Sequence, residues 1–472
     1  MTRSTQAPLS RMTAILLALL AATPLTARGQ QGFCLADANG DGHPLFGNPE
    51  VMLNPFDDLL GFTSTLPTWG ALGDLDGDGD LDAVATYARE HPIDAEQSSL
   101  VVLLNAGDGV FHSDARYECG DYPGSVAIGD LDGDGLNDLA VTNTYSGQVS
   151  VLINAGGGHF PTHVGYFSGG LPRSVVIADL NGDGLPDLAV LNVGTDDIAI
   201  FLNSGSGTFT HLANYPALNI PEELIDFDYY SFGGPQLSAG DVDGDGDVDL
   251  VTPGVFPNGL YGLAVMFNNG HAGFTTPVFH ATGGFSWSSA LGDLDGDGDL
   301  DLVAPNPTSE TSTIAVLLNP GTGNFAPHTD YSVEYAGPCG CYNPRSLAMG
   351  DLDGDGNLDV AVGLFGYDVV VLAGAGNGTL GAPLRYAVAP DPRVVALGDV
   401  NGDGHLDLAA LTFGYAEDKL AIRMNDGTGT LITDGAYPDS LALSGPTDWP
   451  NTYQIAFVDI DSDADLDVVV LN

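Results

Sequence analysis

Residues 125–143 read SVAIGDLDGDGLNDLAVTN: an alternating apolar run, a nine-residue aspartate- and glycine-rich element from Asp130, and a second apolar run. Apolar residues alternating over a short stretch bounded by turn residues mark a strand. The stretch therefore reads as strand, loop, strand. The same element starts again at Asp74, Asp179, Asp241, Asp293, Asp351, Asp399 and Asp459, at intervals of 48 to 62 residues, and seven of the eight copies fit D-x-[DN]-G-D-G-x-x-D. Self-similarity at this period marks units that bury their faces only against one another.

Each unit is longer than two strands. In the second, VSVLINAG from Val149 is a third apolar run, GGGHF makes a glycine-rich turn ending at Phe160, and Tyr166 follows six residues later. A tyrosine in this place recurs at Tyr117, Tyr215, Tyr331, Tyr386 and Tyr437, which predicts an inward position on a fourth strand. Four antiparallel strands in tandem predict an all-β fold, a β-propeller of four-stranded blades. Eight blades are expected, with seven as the alternative if one motif is accessory or the last unit incomplete. The last copy stops after its second strand, VVVLN, ending at Asn472. Bare strand edges are unfavourable, so closure by the termini is expected, with Val51–Asn54 as the missing third strand and Gly61–Ser64 as the fourth.

The element has the chemistry of a calcium loop. Carboxylates at its positions 1, 3, 5 and 9 and the carbonyl of position 7 can converge because glycines at 4 and 6 let the chain curl. Hard oxygens in this number suit Ca²⁺, whereas Mg²⁺ demands a tighter octahedron and Zn²⁺ prefers nitrogen or sulfur. The candidate ligands are Asp74, Asp76, Asp78, Asp80 and Asp82; Asp130, Asp132, Asp134, Leu136 and Asp138; Asp179, Asn181, Asp183, Leu185 and Asp187; and Asp241, Asp243, Asp245, Asp247 and Asp249. The later copies add Asp293, Asp295, Asp297, Asp299 and Asp301; Asp351, Asp353, Asp355, Asn357 and Asp359; Asp399, Asn401, Asp403, His405 and Asp407; and Asp459, Asp461, Asp463, Asp465 and Asp467. About one Ca²⁺ per blade is expected. The opening resembles an EF-hand, but an aspartate at 9 replaces the glutamate at 12 and strands replace the flanking helices. In the eighth copy Ser462 and Ala464 replace both glycines, which weakens that site. A half-copy from Asp37, DANGDGHPL, ends in Leu45 and is left out of the metal set. Aspartate and glycine also favour plain turns, but clustered carboxylates repel one another without a cation.

The rest of the composition is consistent with export. Lys and Arg number 11 against 63 Asp and Glu, a net charge of −52, and Arg3, Arg11 and Arg28 all fall in the first thirty residues. Nucleic acid and anionic membranes are disfavoured partners for such a chain. Basic Arg3 and Arg11, the apolar run Met12–Ala22 and small residues at Ala27 and Gly29 read as a signal peptide over 1–29, too short to span a bilayer. Residues 30–50 then form an N-terminal segment with the degenerate copy, and 51–472 the propeller. The protein is expected to be secreted or at the cell surface, without membrane insertion. Cys34, Cys119, Cys339 and Cys341 are read either as disulfide-bonded, with Cys339 and Cys341 not paired to each other, or as buried thiols.

These motifs, together with a literal Gly-Ala-Pro at Gly381, Ala382 and Pro383, resemble the FG-GAP repeats of integrin alpha-chain propellers and their bacterial VCBS relatives over roughly residues 50–472. The resemblance implies a calcium-stabilised recognition or adhesion module for an extracellular glycan or protein. Two alternatives stay open: a polysaccharide lyase-like enzyme, since some lyases use calcium-bearing propellers, and a structural surface component. No catalytic constellation is visible, and of the histidines only His91 maps to the loop-rich face.

Strand alternation puts the aspartate loops and the glycine-rich turns on one face and the remaining connections on the other. Trp69, Trp287 and Trp449 precede first strands on that second face, and Arg173, Arg345 and Arg393 each follow a proline there. Trp69, Trp449, Arg345 and Arg393 are the candidate ligand-binding residues: rings offer flat apolar faces and arginine a planar donor fork. The competing reading packs the tryptophans between blades and makes the Pro-Arg pair simply the start of each repeat.

Overall fold

Aliphatic and β-branched runs bounded by glycine turns fit a pleated, packed surface, and each becomes a strand. In the second unit Pro123–Gly129, Asp138–Asn143, Gln148–Leu152 and His163–Phe167 pair in that order as an antiparallel sheet. The computed structural model describes residues 33–36, 52–53, 65–79, 82–89, 99–105, 111–217, 235–256, 259–284, 286, 288–307, 311–333, 344–364, 368–388, 392–399, 403–412, 419–432, 441–442, 454–458 and 467–471. Among these residues there is no helix, and the strands form eight antiparallel sheets. The fold is an all-β propeller.

Burial follows position within each sheet. The second strands Asp138–Asn143, Asp187–Asn192 and Asp359–Leu364 are buried at every residue, while the outer strand His163–Phe167 is largely exposed. Second strands lose the polar half of the alternation because both of their faces are covered. The core lies between sheets: Val149 and Val151 of the second unit pack with Val175, Leu188, Val190 and Phe201 of the third.

The termini close the ring. Gln454–Val458 and Asp467–Leu471 of the last unit are joined by Phe33–Ala36, with Phe33 opposite Leu471 and Ala36 opposite Val468. Met52–Leu53 forms the outer strand, with Cys34 opposite Met52. This sheet packs between the strand Pro392–Gly398 and the first unit's Thr65–Gly73. The two-plus-two closure is therefore present, but the strand assignment is corrected. The third-strand place belongs to Phe33–Ala36, upstream of residue 51, and Met52–Leu53 is the fourth strand rather than the third; Gly61–Ser64 lies outside the described residues. Phe33–Ala36 is apolar at Phe33, Cys34 and Leu35 and covers the edge that Asp467–Leu471 would otherwise expose.

Candidate metal centres

In the second copy Asp130 accepts the Gly133 N–H on Oδ1 at 2.7 Å and the Gly135 N–H on Oδ2 at 3.0 Å. Asp132 accepts the Asp134 N–H at 3.2 Å and Asp134 the Leu136 N–H at 2.9 Å, so the loop winds around its own carboxylates. Gly133 and Gly135 have φ of +82° and +88°. A Cβ at either would meet nothing within 4 Å, so the requirement for glycine is conformational rather than steric. The same bonds to position 1 recur at Asp179, Asp241, Asp293 and Asp351.

Position 9 does a second job. Asp138 is 0% exposed; its Oδ2 accepts the Leu131 N–H at 2.8 Å and its Oδ1 the Asn154 N–H at 2.7 Å. Asp187, Asp249, Asp301 and Asp359 repeat the pair of bonds. This carboxylate ties the loop to the end of the third strand, and each oxygen retains a lone pair. Burial pushes Asp138, Asp187, Asp249 and Asp301 up to about 6 against the lowering effect of those N–H groups. Asp76, Asp243 and Asp295 at position 3 are also raised, first by burial and then by the flanking carboxylates of their own loops.

One oxygen from each of Asp74, Asp76 and Asp78 lies within 4.8 Å of the other two, and the same holds at positions 1, 3 and 5 of the copies from Asp241, Asp293 and Asp351. In the second copy the converging trio is Asp130, Asp132 and Asp138. Convergent, all-oxygen, mutually repelling carboxylates fit a hard divalent cation. In the seventh copy Asp399 accepts the Asp403 and Gly404 N–H groups and Asp403 that of His405, while Asn401 lies outside the described residues. Asp80, Asp459, Asp461, Asp463 and Asp465 also lie outside them, as does the side chain of Asp467.

The loops are also the joints between units, through an asparagine that motif reading missed. Asn203, at the end of the third unit's third strand, donates through Nδ2 to the Leu131 carbonyl of the preceding unit's loop at 2.7 Å and to the Pro186 carbonyl of its own loop at 2.9 Å. Gly207 of the following turn donates to the same Leu131 carbonyl at 3.1 Å. Asn154, Asn268, Asn319 and Asn425 bond likewise to position 2 of the loop before them. The signal was in the sequence, as the asparagine of LINAG, FLNSG, MFNNG, LLNPG and RMNDG. Strand-four tyrosines reinforce four of the seams: Tyr117, Tyr215, Tyr331 and Tyr386 donate to carbonyls of the next unit's turn, at Gly158, Ala272, Gly378 and Gly429. Tyr437 lies outside the described residues.

On the opposite face, Arg173, Arg345 and Arg393 occupy one repeated irregularity, the register shift after Pro172, Pro344 and Pro392. Such bulges re-aim side chains. The side chains of Trp69, Arg345 and Arg393, and all of Trp287 and Trp449, lie outside the described residues. Arg173 is described. Burial lowers its pKa, opposed by Tyr122 and Tyr145, whose rings are 4.6 Å apart at 50°. Tyr122 sits at φ +57° and Tyr145 is 54% exposed, so this sector of the loop-rich face sets an aromatic pair, which the sequence pattern does not single out, beside the Arg173 guanidinium. Cys119 is a buried free thiol.

Comparison with known proteins agrees with the repeat. A family profile described as FG-GAP-like repeat matches residues 74–141, 130–190, 179–252, 308–362 and 399–470, and one described as FG-GAP repeat matches 285–317. No curated protein matches the chain. Among solved structures, a lectin from Burkholderia pseudomallei is 13% identical with a TM-score of 0.49, over 79% of this chain and 100% of its own. A V. cholerae biofilm matrix protein is 15% identical with a TM-score of 0.42, over 86% and 87%. BBS1N, in complex with ARL6DN, is 14% identical with a TM-score of 0.45, over 80% and 94%. The repeat profiles together cover more than half of the sequence, and the chain belongs to the FG-GAP repeat family of β-propellers.

Proposed function

We propose that the chain is an exported, calcium-loaded propeller whose loop-rich face recognises a glycan or a protein outside the cell. The observation that carries this reading is the unequal use of the two ends of the blades. At one end, loops of fixed length and glycine turns are spent on hydrogen bonds between units, as at Leu131, Asn203 and Gly207. At the other end the connections vary, from the short link between Phe167 and Pro172 to the long one between Pro216 and Ser238. Variable loops on a rigid scaffold are where binding sites develop.

Calcium's part is to hold the scaffold. Ions at positions 1, 3 and 5 would neutralise the carboxylates and stiffen the loops that bond adjacent units. Tyr122, Tyr145 and Arg173 are the described part of a recognition surface, since aromatic rings and arginine concentrate binding energy in interfaces. The test is a panel of immobilised glycans and extracellular matrix proteins probed with calcium-loaded protein and with a Tyr145→Ala variant. Binding by the natural chain that the variant loses supports the reading. An undiminished variant moves the site away from this sector, and no binding anywhere on the panel counts against recognition as the function.

A further inference from the structure

Three seams between units share one rung that can be compared along the chain. The strand-four ring of one unit meets the turn ring of the next edge-on: Tyr117 with Phe160 at 5.4 Å, Tyr166 with Phe209 at 5.9 Å, and Tyr215 with Phe274 at 5.3 Å. The hydroxyl then takes a backbone partner in that turn, donating to Gly158 and Ala272 carbonyls from Tyr117 and Tyr215, and accepting the Phe209 N–H at Tyr166. In the fourth unit the residue six places after Phe274 is His280.

His280 keeps the rung and loses the bond. Its ring stands edge-on to Phe325 at 5.2 Å and 75°, the same geometry as its tyrosine counterparts. It is 9% exposed, and its buried Nε2 has no hydrogen-bond partner among the described residues. Tyrosine's phenol is long enough to reach the next turn; imidazole stops short and leaves a polar atom in an apolar seam.

We propose that the seam between the fourth and fifth sheets is an acid-responsive joint, in which protonation of His280 opens the rung to Phe325 while the tyrosine-bearing seams stay closed. A charged imidazolium here would be buried against hydrocarbon with no acceptor for its new proton, a state that relaxes by exposing the group. Among the described residues, the elements packed against it supply no counter-charge. The neighbouring strand Tyr261–Met266 has Tyr261 as its one titratable group, the turn Asn319–Phe325 has none, and Asp301 directs both oxygens to the Leu294 and Asn319 N–H groups.

Burial, with no charge contributing, lowers the His280 pKa below its ordinary 6.5. A group whose folded pKa is depressed contributes stability that is present above the unfolded value and lost as pH falls through the folded one. The seam is therefore intact at neutral pH and weakens below it, the direction in which tyrosine seams carry no comparable change.

Amide hydrogen exchange on the full calcium-loaded chain at pH 8 and pH 5, corrected for intrinsic rates, tests this with His280→Tyr and His280→Phe. In the natural chain, protection at Val278–Ala281 and in the turn Asn319–Phe325 should fall severalfold more on acidification than at the Tyr215–Phe274 seam. Both variants should abolish that excess, His280→Phe by removing the nitrogen while keeping the ring. Equal acid responses at the two seams, or an excess that survives in either folded variant, would overturn the proposal.

Discussion

Replacing Asn203 by alanine removes three hydrogen bonds, one across the seam and two within its own unit, and leaves the metal ligands untouched. Two are donations to the Leu131 and Pro186 carbonyls at 2.7 and 2.9 Å, and the third is the Gly205 N–H accepted at 3.0 Å. The Leu131 carbonyl keeps the Gly207 N–H at 3.1 Å, so the loss is partial there and larger at Pro186. At roughly 1 kcal/mol net per bond, with an added cost for polar groups stranded in a site only 6% exposed, the seam should weaken by about 2–4 kcal/mol. Asn203→Asp, equal in size but without the amide donors, should cost at least as much. The assay is urea denaturation in saturating calcium combined with hydrogen exchange over residues 131–138 and 203–208. Loss of protection should begin at this seam. The natural chain contains its own comparison: the sixth unit has Gly374 in the asparagine's place, where a Cβ would run into the Leu358 carbonyl, and the N–H bond to Asp359 is kept without any side-chain amide. An Asn203→Ala protein within about 0.5 kcal/mol of the natural one, the range of an ordinary surface change, would refute the interlock.

Three further outcomes are expected. With calcium chelated, Asp138, Asp187, Asp249 and Asp301, pushed up to about 6 by burial, contribute stability that is lost as pH rises through that value; chelated protein should therefore melt higher at about pH 5 than at about pH 7.5, four carboxylates outweighing His280, and a lower melt at acid pH would contradict the assignment. Cys119, 5% exposed and pushed up to about 12, should resist a thiol-specific reagent in the folded chain and react only on unfolding; prompt labelling of native protein would show it is accessible. A chain ending at Ser440 loses Asp467–Leu471, which pairs with Phe33–Ala36, together with Gln454–Val458 behind it, and should aggregate; a monomer melting like the full chain would rule out the terminal closure.

What was legible in the sequence was whatever repeats with a fixed local chemistry. The loop from Asp130 announces itself because its function demands aspartate and glycine at set spacings, and the flanking strands follow from period-two patterning. Phe33–Ala36 was missed because a strand of four residues makes a weak local signal and the half-copy beside it, from Asp37, is degenerate; its place is set by the edge of Asp467–Leu471, far away in the chain. Asn203 was visible but mute. Its recurrence could be counted, whereas its partner, a carbonyl 72 residues earlier, belongs to the tertiary arrangement. Tyr122, Tyr145 and Arg173 come together for the same reason, from two connections and the start of the strand Pro172–Ala178, which only the packing of adjacent sheets unites. His280 acquires meaning once the tyrosine register is seen to be a row of contacts between units.

The central claim, that calcium is part of this fold, is tested most directly by thermal melts in calcium and in chelator on protein whose bound metal is counted by mass spectrometry. Folded loops gather the carboxylates and the unfolded chain does not, so binding stabilises by mass action summed over sites. Several calcium ions per chain and a melt many degrees lower in chelator are expected. A protein that binds no calcium, or whose two melting curves coincide, would contradict it.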